Sequence, residues 1–336
     1  MRPFLIGAAA AALSLCATGT VRAEEWSVSL WGKPRAFTAH VEKLAELLEE
    51  STQGMFTLDI RYGGLSKNTE TLDGIAIGAF EMAQFCAGYH RDKTPTITVL
   101  ELPFLGVNTL EEEIAASMAV YNHPATREDL GRWNATLLMP SPLPQYNIVG
   151  TGAPRRTLKD FDGMRVRATG GMGQAFRTVG AVPSSVTSSE AYAALDSGTV
   201  DTVAFAPHAH LSFRTIDVAD WWTTNLNPGT VNCPVVVNTD AYEALPEGHR
   251  AALDAAVPEA MEHYMAEYAK IYATWGQVLE ERGVEKVTFS DEDLAVFRAR
   301  AADPIRDQWI AEMTARDLPA QHLYDTMMAA LRDAQM

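Results

Sequence analysis

Between Asp160 and Asp201 the chain reads DFDGMRVRATGGMGQAFRTVGAVPSSVTSSEAYAALDSGTVD, and no other stretch leaves it fewer ways to fold. Met164, Val166 and Ala168 alternate with polar neighbours, the period of a strand with one buried face. Gly170, Gly171 and Gly173 follow, where the backbone can turn tightly and approach a ligand closely. A second strand is expected near Val182. After it, Ser188 or Ser189 can cap a helix with the apolar face Ala191, Tyr192 and Leu195, and Gly198 stops that helix. Strand, helix, strand and helix in immediate succession imply a parallel sheet with helical crossovers. Arg167, at the end of the first strand, is then well placed to hold an anion.

The same alternation runs through the first part of the chain. Strands are expected over Trp26–Trp31, Phe56–Tyr62 and Glu81–Phe85, helices over Thr38–Ser51 and Asn68–Gly78, and further helices over Leu110–Leu130. Such alternation means parallel α/β layers. The stretch from Gly150 to about Pro234 repeats the style as a smaller unit, and Val235–Asn238 reads as a strand returning to the first. We therefore expect lobe one over residues 24–147 and 235–255, lobe two over 148–234, and helices over 256–336. Ligands in such folds bind at strand ends, where the lobes face each other. From Pro246 to about Glu281 the pattern is helical, and Pro258 is expected to kink or restart it. Its Tyr264, Tyr268, Ile271, Tyr272 and Trp275 fall at helical spacing and read as core.

Residues 1–23 carry Arg2, an apolar run from Phe4 to Cys16, and small residues ending in Val21-Arg22-Ala23, which predicts a secretory signal peptide cleaved before Glu24. Leu15 before Cys16 argues against a lipoprotein. No later segment approaches the length of a membrane helix, so stable membrane insertion is not expected. The chain has 27 basic and 43 acidic residues, net −16; without Arg2 and Arg22 the mature chain stands at −18. That argues against nucleic acid as a partner, and it means an anionic ligand must be held by local groups. Cys86 and Cys233 could pair in an oxidising compartment, and two separate buried thiols are the preferred reading.

Other motifs are weak. His208 and His210 lack the companions of a metal site, and the Gly170–Gly173 cluster has neither the lysine of a phosphate loop nor the spacing of a dinucleotide fingerprint. The Ser184–Ser189 run has no histidine or acid at a catalytic spacing.

The pattern Asp160 to Arg167, the run Val179 to Pro183 and the run Ser189 to Asp201 together resemble the signature of the solute-binding proteins of tripartite ATP-independent periplasmic (TRAP) transporters, the dicarboxylate-binding family. Ser51–Gly64, Thr71–Ala83, Glu101–Leu105 and Val235–Pro246 extend the resemblance over nearly the whole mature chain. It implies a two-lobed α/β fold of mixed sheets flanked by helices, with one long helix spanning both lobes and a helical C-terminal region. It further implies a periplasmic receptor, not an enzyme, that closes on a small organic anion and delivers it to the membrane permease subunits. A secreted enzyme using the same cleft and a ligand-sensing partner of a receptor kinase are the alternatives.

In the resembled family the arginine matching Arg167 makes a bidentate salt bridge to the substrate carboxylate. Asn147 stands where many members carry a second arginine, and its neighbours Gln145 and Tyr146 are candidate contacts. Thr202, Val203, Ala204 and Phe205 replace the polar or metal-holding residues of other branches, so no metal and no cofactor are expected, and Phe205 becomes an apolar wall. Asn227 matches a polar cleft position, while Trp221, Trp222, Tyr89 and Trp31 could add aromatic surface. With one arginine and a ring opposite, the expected ligand carries one carboxylate or sulfonate on an apolar or cationic body.

Overall fold

A computed structural model of the chain describes residues 23–336; the expected signal peptide, apart from Ala23, lies outside the described residues. In chain order the strands are β1 (Glu24–Leu30), β2 (Phe56–Tyr62), β3 (Met82–Gln84), β4 (Ala135–Met139), β5 (Asn147–Gly150), β6 (Arg165–Arg167), β7 (Val182–Ser184), β8 (Thr202–Phe205), β9 (Trp221–Thr223), β10 (Val235–Asn238) and β11 (Glu285–Val287). They form two sheets of order β2-β1-β3-β10-β4 and β11-β9-β5-β8-β6-β7, each flanked by helices, and the fold is two-lobed.

The alternation of strands and helices implied parallel layers, and that holds only locally. β1 runs parallel to β2 and β3, but β10 is antiparallel to both β3 and β4. In the second sheet β6 is parallel to β7 and β8, whereas β5 is antiparallel to β8 and β9. The reason is connectivity: β10 enters the first sheet from the second, so no right-handed helical crossover dictates its direction.

Within the Asp160–Asp201 stretch, the helix Gly170–Arg177 follows β6 and the helix Ala191–Asp196 precedes β8. The cap of the second helical segment is Thr187, one residue before the expected serines. Its backbone N and its Oγ1 both donate to Glu190 Oε2, at 3.2 and 2.6 Å, which ties the first turn together.

The helix Glu247–Glu281 is continuous over 35 residues, so Pro258 neither ends nor restarts it. A proline here frees the carbonyl of Asp254 from its helical bond. Asp254 and Pro258 both lie on the exposed face, where water can take that carbonyl. At 1.5 Å per residue the helix is about 50 Å long. Its first half packs Leu253, Ala256 and Ala260 into the core of the first sheet, and its second half sends Tyr264, Tyr268, Trp275 and Leu279 into the core that includes the second. Tyr272, at 49 % exposure, is outside that stripe. The helices Asp291–Thr314 and Ala320–Ala334 complete the C-terminal region, and His322 Nδ1 lies 2.8 Å from His123 Nε2.

Cys86 and Cys233 form a disulfide, which corrects the expectation of two separate thiols. The pairing of β3 with β10 continues past the strand ends, through Phe85 N–H to Pro234 O and Ala87 N–H to Asn232 O. Cys86 and Cys233 therefore face each other between two hydrogen-bonded positions, where opposed side chains come closest. Sequence separation of 147 hid this neighbourhood.

Candidate functional site

The strand ends of the two sheets meet at a small cavity. Arg167, the last residue of β6, is 2 % exposed and lines it. Its Nε donates to Val186 O at 2.8 Å, Nη1 to Ala204 O at 3.3 Å and Nη2 to the Tyr89 hydroxyl at 2.9 Å. Three of five N–H groups are thereby engaged, and two remain. The guanidinium lies over the Phe205 ring, 4.4 Å from its centroid. Among the described residues no carboxylate stands within ion-pair distance of Arg167, in contrast to Arg165, which pairs with Asp201. A buried cation without a counter-ion is costly, and three neutral oxygens fix its position without neutralising it. The missing charge is one that a ligand anion can supply.

Tyr89 reaches across from the first sheet. Its oxygen accepts from Arg167 Nη2 and from Ser188 N at 3.1 Å, leaving its own proton to donate. The remaining wall is aromatic and apolar, including Trp31, Phe37, Tyr146, Phe205 and Phe213, with the Cys86–Cys233 disulfide at one side. Phe205 is tilted against Phe213 at 5.7 Å and edge-on to Tyr146 at 6.2 Å. Among the described residues no aspartate or glutamate lines the cavity.

A family model for bacterial extracellular solute-binding proteins, family 7 (DctP), matches residues 30–312. The chain belongs to that family. Family 7 consists of solute-binding receptors rather than enzymes. A solute-binding protein of Sulfitobacter sp. strain NAS-14.1 is 26 % identical, covering 93 % of this chain and 94 % of the relative. Two solved structures superpose with TM-scores of 0.82. One is a marine-metagenome TRAP solute-binding protein specific for aromatic acid ligands, in complex with 3-hydroxybenzoate, at 18 % identity over 93 % of this chain and 99 % of the other. The second is a TRAP solute-binding protein of Rhodoferax ferrireducens in complex with benzoate, at 16 % identity over 93 % and 98 %.

Of the candidate ligand-binding residues of this family 7 member, Arg167, Tyr146, Phe205, Tyr89 and Trp31 come together in the cavity, and Asn147, Gln145, Asn227, Trp221 and Trp222 lie elsewhere. Asn147 is buried and spends its amide on Thr223 O at 2.8 Å. Gln145 and Asn227 line an outer groove, where Asn227 also donates to Tyr146 O at 3.2 Å. Trp221 is fully buried against Gly150, where any side chain would collide with its ring. Trp222 packs edge-on to Trp275 at 4.9 Å. The glycines after Arg167 serve packing rather than ligand approach. A Cβ at Gly170 would strike the Glu101 side chain, and one at Gly171 the Glu101 carbonyl.

Arg35 is the main residue the sequence reading missed. It lines the cavity from the loop after β1, within 6 Å of the Trp31, Phe37 and Phe213 rings. Burial lowers its pKa to about 10, so it stays charged near neutral pH. A signal existed: a basic residue just past the C-terminal end of a strand, where ligands bind in such folds. His208 also lines the cavity. Burial holds it well below its usual range, hence neutral, and its ring stacks on Phe37 at 5.9 Å. Among the described residues no cluster of three potential metal ligands occurs.

Behind the cavity, Glu101 and Glu113 are buried side by side. Glu101 accepts from Asn232 N, and Glu113 from the Asn232 amide, each at 3.3 Å. Burial raises Glu101 to about 7 and Glu113 to about 8. Between the ordinary value of 4.5 and these values, the folded chain holds protons that the unfolded chain releases. Stability from this pair is therefore present at low pH and lost as pH rises across that window. We expect Glu113→Gln, which stays neutral, to show a smaller drop in Tm than the parent between pH 5 and pH 8.5. Parallel Tm profiles would contradict the assignment.

Proposed function

We propose that this family 7 member is the periplasmic receptor of a TRAP transporter, taking a small organic acid between its lobes and delivering it to the membrane permease. Residues 24–147 with 235–255 would form one jaw and 148–234 the other, with 256–336 bracing both. The observation that carries the reading is Arg167: a buried guanidinium without a carboxylate, two N–H groups to spare, facing a cavity walled by rings. A planar fork matches a carboxylate, and Tyr89 adds a third donor. The aromatic walls suit an apolar body such as those of the acids bound by the two superposed proteins. A cationic body is disfavoured, because Arg35 and Arg167 line the cavity and, among the described residues, no acid does. Bonds from Tyr89 to Arg167 and Ser188 bridge the jaws, so an anion that neutralises Arg167 favours the closed state.

The test is a thermal-shift screen of aromatic and aliphatic carboxylates, sulfonates and betaines, followed by calorimetry. Carboxylates should raise Tm and be recovered chemically unchanged, whereas a betaine-only response or turnover would refute the reading. Binding should also survive exhaustive chelation, since a guanidinium and a hydroxyl supply the donors. Loss of binding in chelator, restored by a divalent cation, would contradict that.

A further inference from the structure

Glu101 touches three segments that carry cavity residues while standing outside the cavity itself. It ends the short helix Ile97–Glu101 and is 2 % exposed. Its Oε1 accepts from Asn232 N at 3.3 Å, and Asn232 precedes Cys233 of the cavity wall. A Cβ at Gly88 would stand 3.1 Å from Oε2, and Gly88 precedes Tyr89. Gly170, three residues after Arg167, lies so close to Oε2 that no side chain fits between them. Tyr89 comes from the first sheet's side and Gly170 follows β6 of the second, so Glu101 sits where the two lobes meet. Its Oε2 is buried without a hydrogen-bond partner. The groups that act on its charge are Glu113 and Tyr121 from the helix Leu110–Tyr121, Arg91 from the loop after Tyr89, and Tyr146 of the cavity. An unsolvated oxygen and a second carboxyl alongside both disfavour the ionised form.

We propose that Glu101 is a positioning residue that couples ligand binding to proton uptake, neutral while the lobes are closed on a carboxylate and ionised when they part. This rests on the reading of Arg167 above and adds a regulation to it. Parting the lobes withdraws Gly170 from Oε2 and admits water, which solvates the carboxylate. Closing removes that water and puts no protein donor on Oε2 in its place, so a proton must come with the ligand. Neutral Glu101 lets the Gly88, Gly170 and Asn232 segments gather around it, which holds Tyr89, Arg167 and Cys233 in register. The ligand's own negative charge acts in the same direction. Burial raises Glu101 from 4.5 to about 7 in the arrangement with Gly170 in place. The closed state therefore holds the proton more tightly than the open one. Affinity is highest at low pH, is lost as pH rises toward 7, and levels off above it.

Calorimetry with benzoate, which stays ionised throughout the range, tests this between about pH 6 and pH 8 in pairs of buffers with different ionisation heats. Over that range the parent should lose about tenfold in affinity, and near pH 7 it should take up about half a proton per benzoate bound. Glu101→Gln, which is neutral at every pH and keeps an acceptor for Asn232 N, should bind with neither the pH dependence nor the proton uptake. Glu113→Gln should keep the uptake. Heats independent of buffer in the parent, uptake that survives in Glu101→Gln, or uptake that disappears in Glu113→Gln instead would each overturn the coupling and leave the Arg167 reading standing. Benzoate inert at every pH would bring down that reading and the coupling with it. The parent measurements need no variant, so a misfolded Glu101 variant does not shield the proposal.

Discussion

Replacing Arg167 with Ala should weaken binding of an accepted carboxylate by about 2 to 5 kcal/mol, from roughly thirtyfold to several thousandfold. The magnitude follows from the setting. The charged pair would form in a cavity lined by rings, with the arginine already held by Val186 O, Ala204 O and Tyr89. Little ordering is left to do on binding, and water is largely excluded from the guanidinium at 2 % exposure. The fold should survive the change, because the variant removes an unpaired buried cation rather than one half of an ion pair. Arg167→Lys should also bind poorly, since an ammonium cannot serve Val186 O, Ala204 O and a planar carboxylate in one geometry. Calorimetry on the folded variants decides the matter, and parent-like affinity in Arg167→Ala would remove this residue from the site.

The second large effect concerns the disulfide. Cys86→Ser, or quantitative reduction, should lower stability by about 2 to 5 kcal/mol, because the bond closes a long loop in the unfolded chain. For a chain of this size that corresponds to a fall in Tm of about 3 to 8 °C. Binding should weaken as well, since both cysteines line the cavity. The bond joins the end of β3 to the segment entering β10, which carries the Asn232 contacts to Glu101 and Glu113. Thermal unfolding with and without reductant, with free thiols counted, provides the check. An unchanged Tm in a fully reduced sample would show that the strand pairing alone holds this junction.

Arg167 was legible in the sequence because everything that positions it is local. The alternation at Met164, Val166 and Ala168 defines β6, and the glycines and the next helix follow within a few residues. Phe205 and Tyr146 were legible only through the resemblance, Phe205 at a position where other branches carry polar residues and Tyr146 beside the position of a second arginine. The long helix was legible from its spacing. Its continuity through Pro258 was not, because that depends on which face of the helix meets water.

Residues without a local signal had to wait for the fold. Asn147 lies in a strand whose side-chain direction depends on pairing with β8 and β9, and that pairing turns its amide toward Thr223 rather than the cavity. Gly170 and Gly171 look the same in sequence whether they face a ligand or the Glu101 segment. Cys86 meets Cys233, and Arg35 meets Phe213, only because β10 returns antiparallel beside β3 and the two sheets close on each other. Periodicity and turn chemistry act over a few residues, so the sequence by itself determined the elements, their order and the arginine at the end of β6. Which side chains share the cavity is set by packing between segments far apart in the chain. The tertiary structure alone therefore decided the disulfide, the second guanidinium and the composition of the wall.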